Sequence, residues 1–257
     1  MNSRVSLILT TYNCVDHFQK TMESIAAQDY PDIEVIIKDG CSTDGTLDEI
    51  KKYAQSFKYP VIWRSRRDAG IYDALNQGYE MTTGDIIAVF NDLYTRSDAV
   101  SLLVGSIRQE NADGVHADLI YATDNKVKRY WHMGQGKISQ GWMPGHPTLY
   151  LRREVYEKYG LYDISYTCSA DYEFMVRILK DGNCKLAYVP EILIRMYYGG
   201  TSTADKSAYF ISVKESYRAL RSNKIRFPVI IIFLRTLRVM MQFARVRCVD
   251  RENLEII

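Results

Sequence analysis

The sequence predicts an α/β protein whose core is an open, mostly parallel sheet flanked by helices, with an amphipathic helical extension at the C-terminus. Continuous apolar runs such as Val5–Thr10 (VSLILT) alternate with segments of helical spacing through the first half of the chain. Consecutive apolar residues are typical of parallel strands that helices cover on both faces. The 257 residues, 47% apolar and 25% charged, suffice for one large domain with an appendage.

The first half of the chain alternates strands and helices. Val5–Thr10 is the first strand, and Asp16–Ala27 follows it with Phe18, Met22 and Ile25 at helical spacing. The further strands predicted here are Glu34–Lys38, Val61–Arg64, Asp85–Phe90 and Asp118–Ala122, and the further helices are Leu47–Phe57, Ile71–Met81 and Asp98–Gln109. Successive βα units indicate a parallel sheet with helices on both sides.

The second half is less regular. Lys126–Gly145 is polar and carries glycines, which predicts a loop or a small hairpin. Ala170–Lys180 is a helix with Phe174 and Ile178 on one side. The other elements predicted here are the strands Thr148–Leu151, Leu186–Val189 and Ile192–Met196, the helices Arg153–Tyr159 and Ser207–Leu220, and a last helix that begins at Pro228.

Charge and cysteine content exclude several classes of protein. The net charge of +2 gives no global field for nucleic acid, so we expect no nucleic-acid partner. The five cysteines are scattered and form no C-x-x-C pair, which argues against a disulfide framework or a zinc site and favours a reducing cytoplasm. The N-terminal sequence MNSRVSLILTTYN lacks the long apolar stretch of a signal peptide.

Polar residues follow the predicted parallel strands at the point where each strand ends. They are Thr11, Tyr12, Asn13, Asp39, Asp68, Asn91 and Asp92. Ligands of open parallel sheets bind at this edge, although each residue alone is as well explained as a cap or loop residue. A carboxylate at Asp39 could accept a hydrogen bond from a uracil imide or hold a ribose hydroxyl. A carboxylate at Asp92 could help to coordinate a divalent cation on a diphosphate.

Other common motifs are absent from the sequence. No G-x-x-x-x-G-K-[ST] segment occurs, which excludes a P-loop, and Gly134-x-Gly136 lacks the third glycine of a dinucleotide fingerprint. There is no His-Glu-x-x-His, and the four histidines show no metal-ligand spacing.

Six blocks in order resemble the family 2 inverting glycosyltransferases with the GT-A fold, of the bacterial polysaccharide and O-antigen type. The blocks are Leu9–Asn13, Ile36–Thr46, Asp68–Gly78, Gly84–Asp92, Gly145–Thr148 together with Ser169–Glu173, and Tyr198–Ser202. The resemblance covers roughly Val5–Thr203. The strand-four motif is two residues shorter than the family pattern and ends at Asn91-Asp92, so the usual metal geometry does not carry over.

The resemblance implies transfer of a sugar from a nucleotide-sugar, with UDP favoured, to a glycan or an undecaprenyl-diphosphate-linked acceptor in cell-surface polysaccharide biosynthesis. It also implies a divalent cation, Mn²⁺ or Mg²⁺, at Asp92. We expect a GT-A catalytic domain at 1–205, with a nucleotide-sugar-binding half at 1–123 and an acceptor half at 124–205, followed by a helical extension at 206–257. The alternatives are a nucleotidyltransferase and a non-catalytic nucleotide-sugar-binding protein. The oligomeric state is not predicted.

Asp171 becomes the expected catalytic base through this resemblance. On the residues alone it is equally an ordinary acidic residue in the first turn of a helix, and Glu173 is expected to be structural or exposed. The remaining expected substrate-binding residues are Asp73 and Asn76, His146 at the acceptor or a phosphate, and Arg195 with Ser202 at the diphosphate. Each of these could instead be a structural residue of a loop, turn or helix.

The C-terminal segment Phe227–Arg247 combines apolar side chains with arginines. Its longest apolar run, Val229–Leu234, is too short to cross a bilayer, which requires about 20 residues. The pattern predicts a helix lying in the plane of an anionic membrane surface, with a core or dimer helix as the alternative. We therefore expect a cytoplasmic protein that is peripheral on the inner face of the cell membrane.

Overall fold

A computed structural model describes residues 3–123, 126–198 and 206–248. The strands are β1 (Val5–Thr11), β2 (Ile33–Asp39), β3 (Val61–Ser65), β4 (Ile86–Val89), β5 (Leu93–Tyr94), β6 (Gly114–Thr123), β7 (Lys126–Trp131), β8 (Tyr150–Arg152) and β9 (Leu186–Tyr197). The α-helices are α1 (Val15–Ala26), α2 (Thr46–Ser56), α3 (Ile71–Tyr79), α4 (Ala99–Glu110), α5 (Arg153–Tyr159), α6 (Ala170–Leu179), α7 (Lys206–Ser222) and α8 (Pro228–Ala244).

The first four strands form the predicted parallel sheet in the order β3-β2-β1-β4. In this register Thr11 lies beside Asp39, and Asp39 lies beside Ser65. The carboxyl ends of β1, β2 and β3 therefore meet at one edge, as their sequence positions predict. β2 is buried along its whole length because helices cover both faces of the sheet.

The rest of the sheet is mixed rather than parallel. β8 pairs antiparallel with both β4 and β6, β9 runs parallel to β6, and β5 pairs antiparallel with β9. β7 folds back on β6 as a hairpin within the segment predicted as a loop or hairpin. The two short strands predicted at 186–189 and 192–196 are one strand, β9, because Pro190 and Glu191 bulge out of the pairing with β6.

Helices cover both faces of the sheet, as the alternating elements predict. On β1, Leu7 and Leu9 pack into a core with α1, α2 and α4, while Ile8 faces a second core with α3, α5 and α6. A Cβ atom on Gly78 would lie 2.6 Å from Cγ2 of Ile8, so only glycine lets α3 approach β1 this closely.

The two C-terminal helices pack on the second core. α7 packs against α6, and α8 packs against α7 and β7. The backbone of Gly141 meets α8 so closely that a Cβ there would lie 2.5 Å from the amide nitrogen of Arg235. None of the helices within the described ranges is both long enough and apolar enough to cross a membrane.

Candidate active site

Asp39 organises the edge at which β1, β2 and β3 end. Its carboxylate is fully buried and accepts hydrogen bonds from the hydroxyls of Thr11 (3.1 Å), Ser42 (2.5 Å) and Ser65 (2.6 Å). It also accepts from the backbone amides of Cys41 and Ser42, both at 3.0 Å. Burial acts to raise the pKa of Asp39, but these donors outweigh it and hold the pKa below its ordinary value. Asp39 is thus ionised and fixes the positions of the segments that donate to it.

The loops at this edge are also linked to each other. The side-chain amide of Asn91 pairs with Thr10, accepting from its backbone amide at 3.0 Å and donating to its hydroxyl at 3.0 Å. Asn13, in the left-handed region at φ 48°, accepts from the backbone amide of Thr43 at 2.8 Å. The ends of β1, β2 and β4 are therefore held together. Tyr12, between them, exposes 68% of its surface, which leaves its ring open to solvent.

Asp68 joins this edge through a buried lysine. The Lys38 ammonium is fully buried and donates to Asp68 at 2.8 Å and to the carbonyl of Arg66 at 2.6 Å. A Cβ on Gly40 would lie 3.2 Å from both Asp68 Oδ2 and the Tyr12 ring. The space between these two side chains is therefore too narrow for a larger residue than glycine without a shift of its neighbours. Lys38 was not among the predicted site residues, although a lysine at the end of an apolar strand, directly before Asp39, is a visible signal.

Asp171 lies in the first turn of α6, partly exposed. Within the described residues its one hydrogen-bond partner is the hydroxyl of Tyr72 on α3, which donates to Oδ1 at 3.1 Å. Burial, and then the charge of Asp171, raise the pKa of Tyr72, so this hydroxyl stays protonated and acts as the donor. The carboxylate keeps a second oxygen for another partner. Tyr72 was not among the predicted site residues.

Asp92 approaches the same space from the end of β4. Burial raises its pKa to about 7, and no described residue makes a hydrogen bond or an ion pair with it. Burial raises the pKa of Tyr121 on β6, the charge of Arg129 opposes this, and the charges of Asp92 and Asp171 add to the rise. Both carboxylates therefore lie within electrostatic range of Tyr121.

The donor set at Asp92 suits a divalent cation only in part. An unpartnered carboxylate is a suitable oxygen ligand for Mn²⁺ or Mg²⁺. The described parts of the chain contain no group of three or more His, Cys, Asp or Glu side chains that could hold a metal ion. Asp92 thus fits a cation that takes most of its ligands from a bound diphosphate and water.

His146 lies in the short turn His146–Thr148 near Asp171. Its Nε2 and the Tyr162 hydroxyl share a hydrogen bond of 2.8 Å. Burial lowers the pKa of His146, and the charge of Asp171 opposes this only in part, so the ring is neutral at pH 7. A neutral imidazole can donate or accept a hydrogen bond but offers no charge to a phosphate.

Asp73 and Asn76 of α3 make framework contacts. Both polar atoms of the Asn76 amide pair with the backbone of Tyr162, at 2.9 Å and 3.1 Å. Asp73 accepts hydrogen bonds at 2.9 Å from the backbone amide of Ala69, just before α3, and from the side chain of Gln77 within α3. These contacts fix the loop that carries Tyr162 and the helix that carries Tyr72. Their predicted role in binding substrate stays a prediction.

β9 pairs with β5 and places Arg195 opposite Leu93, the residue that follows Asp92 in the chain. Arg195 is 7% exposed and donates to the carbonyl of Thr123 at 3.0 Å, while no described residue accepts from its buried Nε. Ser202, predicted with it at the diphosphate, lies outside the described residues. Glu173 is structural, since it pairs with Arg177 at 2.8 Å and accepts from Asn223 at 3.0 Å.

Comparison with known proteins assigns this arrangement to a family. Residues 6–172 match the sequence profile of the family described as Glycosyl transferase family 2. The chain belongs to this family. It is a glycosyltransferase, and the matched segment spans every predicted site residue from Thr11 to Asp171.

Relatives and solved structures agree with this assignment. The glycosyltransferase is 25% identical over 236 residues to a PGL/p-HBAD biosynthesis glycosyltransferase of Mycobacterium bovis, covering 90% of this chain and 89% of the relative. It is 27% identical over 247 residues to the dolichyl N-acetyl-alpha-D-glucosaminyl phosphate 3-beta-D-2,3-diacetamido-2,3-dideoxy-beta-D-glucuronosyltransferase of Methanococcus voltae, covering 86% of this chain and 74% of the relative.

Two solved structures show that the fold is GT-A. Staphylococcus aureus TarS 1–349 in complex with UDP-GlcNAc superposes with a TM-score of 0.70 and 16% identity, covering 97% of this chain and 74% of that chain. The mannosyltransferase PcManGT of Pyrobaculum calidifontis, in complex with GDP-Man and Mn²⁺, superposes with a TM-score of 0.68 and 16% identity, covering 100% and 73%.

Proposed function

We propose that the enzyme transfers a sugar with inversion, and that Asp171 is the base. Asp171 takes the proton from an acceptor hydroxyl while the new bond forms at the anomeric carbon and the bond to the diphosphate breaks on the opposite face. The observation that carries this role is the carboxylate of Asp171, which Tyr72 holds through one oxygen while the other oxygen makes no hydrogen bond within the described residues.

The donor is a nucleotide-sugar, with UDP as the favoured nucleotide. Tyr12 offers an exposed ring for stacking on the base. A hydrogen-bonded network at the same edge of the sheet would hold the rest of the nucleoside; it comprises Thr11, Asn13, Asp39 and Asp68. TarS, described in complex with UDP-GlcNAc, supports UDP, whereas the mannosyltransferase described with GDP-Man shows that the same fold accepts another nucleotide.

A divalent cation, Mn²⁺ or Mg²⁺, would be held at Asp92 together with diphosphate oxygens. When bound, it would neutralise charge on the leaving nucleoside diphosphate. The Mn²⁺ in the complex of PcManGT supports this assignment. Arg195, whose buried Nε has no partner among the described residues, would supply further positive charge to the diphosphate.

The acceptor is a glycan or a lipid-linked saccharide presented at the inner membrane surface. Ile230, Phe233, Leu237 and Met240, here called the outer face of α8, are spaced to share one side of the helix and are 41–63% exposed. Arg235 and Arg238 turn inward instead, towards Ser216 and Gln140. An apolar helix surface of this kind suits the interface of a bilayer.

Basic residues flank this surface at the turn between α7 and α8. Arg221, Lys224 and Arg226 are exposed there and complement anionic lipid headgroups. The relative in Methanococcus voltae, whose name specifies a dolichyl phosphate-linked substrate, supports a lipid-linked acceptor. We infer a peripheral position on the cytoplasmic face of the membrane.

The test uses UDP-, GDP- and dTDP-sugars with Mn²⁺ and measures the release of nucleoside diphosphate. We expect turnover with a UDP-sugar and a loss of at least about 100-fold in Asp171→Asn, since a general base contributes that much. Asp48→Asn, which changes an exposed carboxylate on α2, is the matched control. Wild-type turnover by Asp171→Asn would contradict the assignment of the base. A product with retained anomeric configuration, seen by proton NMR, would contradict inversion.

A further inference from the structure

Two arginines lie beside the catalytic cleft without an acidic partner among the described residues. Arg129 of β7 stacks over the ring of Tyr121, with its guanidinium carbon 4.5 Å from the ring centre, and donates to the side chain of Gln242. Among the described residues no carboxylate pairs with this guanidinium, although Arg129 is only partly exposed.

Arg235 of α8 is placed in the same way. Its guanidinium carbon lies 4.4 Å from the centre of the Tyr172 ring, and it donates to the Ser216 hydroxyl at 2.7 Å. No carboxylate in the described part of the chain pairs with it either. Arg129 and Arg235 are called the arginine pair below.

The charges of the arginine pair act on each other. Burial lowers the pKa of Arg129, and the charge of Arg235 lowers it further. Two like charges in a partly desolvated site raise the free energy of the protein unless an anion lies between them. Aromatic rings and neutral acceptors surround both guanidinium groups, so a ligand can supply the missing negative charge.

The arginine pair borders the reacting groups on the side away from the nucleotide. Arg129 covers Tyr121, on which the charges of Asp92 and Asp171 act. Arg235 covers Tyr172, which directly follows Asp171 in α6. The donor edge is formed by β1, β2 and β3, at the other end of the sheet from β7.

Arg129 of the arginine pair also lies next to the outer face of α8. The ring of Phe243 lies 5.7 Å from the guanidinium carbon of Arg129 and is 48% exposed on the same helix as Met240 and Leu237. An amphiphile with its apolar chain on the outer face of α8 would therefore place its anionic head near the arginine pair, next to Asp171.

We propose that Arg129 and Arg235 bind the phosphate of a lipid-linked acceptor, whose apolar chain covers the outer face of α8. This rests on the proposed function, because it names the acceptor that Asp171 deprotonates. Guanidinium groups match the geometry of phosphate oxygens and bind them with charge-assisted hydrogen bonds. The alternative source of the same chemistry, the diphosphate of the donor, is an outcome of the test.

The test measures binding of decyl phosphate and of neutral decyl glucoside by titration calorimetry, below their micellar concentrations, with UDP titrated in parallel. Wild type should bind decyl phosphate at least about tenfold more tightly than decyl glucoside, given the energy of charged hydrogen bonds. Arg129→Gln and Arg235→Gln should each remove about tenfold of that preference and leave the affinity for UDP unchanged. Arg4→Gln changes an exposed arginine at the end of β1 opposite the candidate site and is the matched control.

Two results would overturn the proposal. Equal affinities of the wild type for decyl phosphate and decyl glucoside would show that the arginine pair does not bind phosphate. A loss of UDP affinity in both variants, with decyl phosphate binding intact, would assign the pair to the donor. If the glutamine variants fail to fold, Arg129→Lys and Arg235→Lys keep the charge and should show a smaller loss of the same kind. Absence of turnover with any nucleotide-sugar would instead refute the proposed function and leave decyl phosphate binding as a separate result.

Discussion

Replacing Glu34 by glutamine should destabilise the fold in a pH-dependent way. Glu34 is 2% exposed and accepts hydrogen bonds from the hydroxyls of Ser6 and Thr83, each at 2.6 Å. It also accepts from the backbone amides of Thr83 (2.6 Å) and Gly84 (3.1 Å). Burial acts to raise the pKa of Glu34, but these donors outweigh it and lower the pKa from its ordinary value of 4.5.

The expected loss follows from the change in hydrogen-bond type. A bond to a charged group contributes about 1.5–3 kcal/mol and a neutral one about 0.5–1.5 kcal/mol, so neutralising an acceptor of four bonds weakens each of them. Glutamine also removes the cost of burying a charge. We expect a net loss of about 1–3 kcal/mol in the free energy of unfolding of Glu34→Gln at pH 7.

The sign of the pH dependence is set by the lowered pKa. The stability that the ionised Glu34 contributes is fully present above its unfolded-state pKa and is lost as the pH falls through the lower folded-state pKa. Urea unfolding followed by circular dichroism at pH 7 and at successively lower pH from 4.5 measures the difference between wild type and variant. The difference should shrink as the pH falls. A difference that is absent at pH 7, or that grows in acid, would refute the reasoning, and Glu157→Gln on the exposed side of α5 is the matched control.

Three more substitutions test other parts of the structure. Gly78→Ala should lower the free energy of unfolding by about 1–3 kcal/mol, because the new Cβ would lie 2.6 Å from Ile8. Thermal unfolding measures this loss, and an unchanged midpoint would show that α3 can move away from β1. Asp92→Asn should abolish binding of Mn²⁺ in the presence of UDP, followed by electron paramagnetic resonance; retained binding would place the cation elsewhere. Phe233→Glu should reduce co-sedimentation with phosphatidylglycerol vesicles several-fold. The control Ile164→Glu changes an equally exposed apolar residue on a loop and should leave co-sedimentation unchanged. Equal effects of the two substitutions would argue against the outer face of α8 as the membrane surface.

The first four strands could be predicted because their information is local. An apolar run such as Val5–Thr10 specifies a buried strand by itself, and short βα connections leave few ways to order neighbouring strands. The position of β8 between β4 and β6 could not be predicted, because that pairing joins segments far apart in the chain and no local pattern encodes it. β5, with two residues, is too short to show a period.

The candidate site divides in the same way. The edge formed by Thr11, Asp39 and Asp68 follows from the rule that parallel strands end together. Tyr72 was missed because it meets Asp171 from 99 residues away, and a tyrosine on a helix carries no sign of such a contact. Lys38 was missed because a lysine at the end of a strand is usually exposed, and only the fold shows it buried against Asp68.

The buried carboxylate of Asp39 has a consequence for how a nucleotide is captured. One charge is shared by the hydroxyls of Thr11, Ser42 and Ser65, which belong to three consecutive strand ends, so these loops cannot move independently. The edge that we propose to bind the base is thus preorganised, because these loops lose their conformational entropy on folding rather than on binding. Ser65→Ala would remove one of these hydrogen bonds to Asp39 and leave the loops less ordered. We expect this loss of order, and not a lost contact with the ligand, to weaken nucleotide binding.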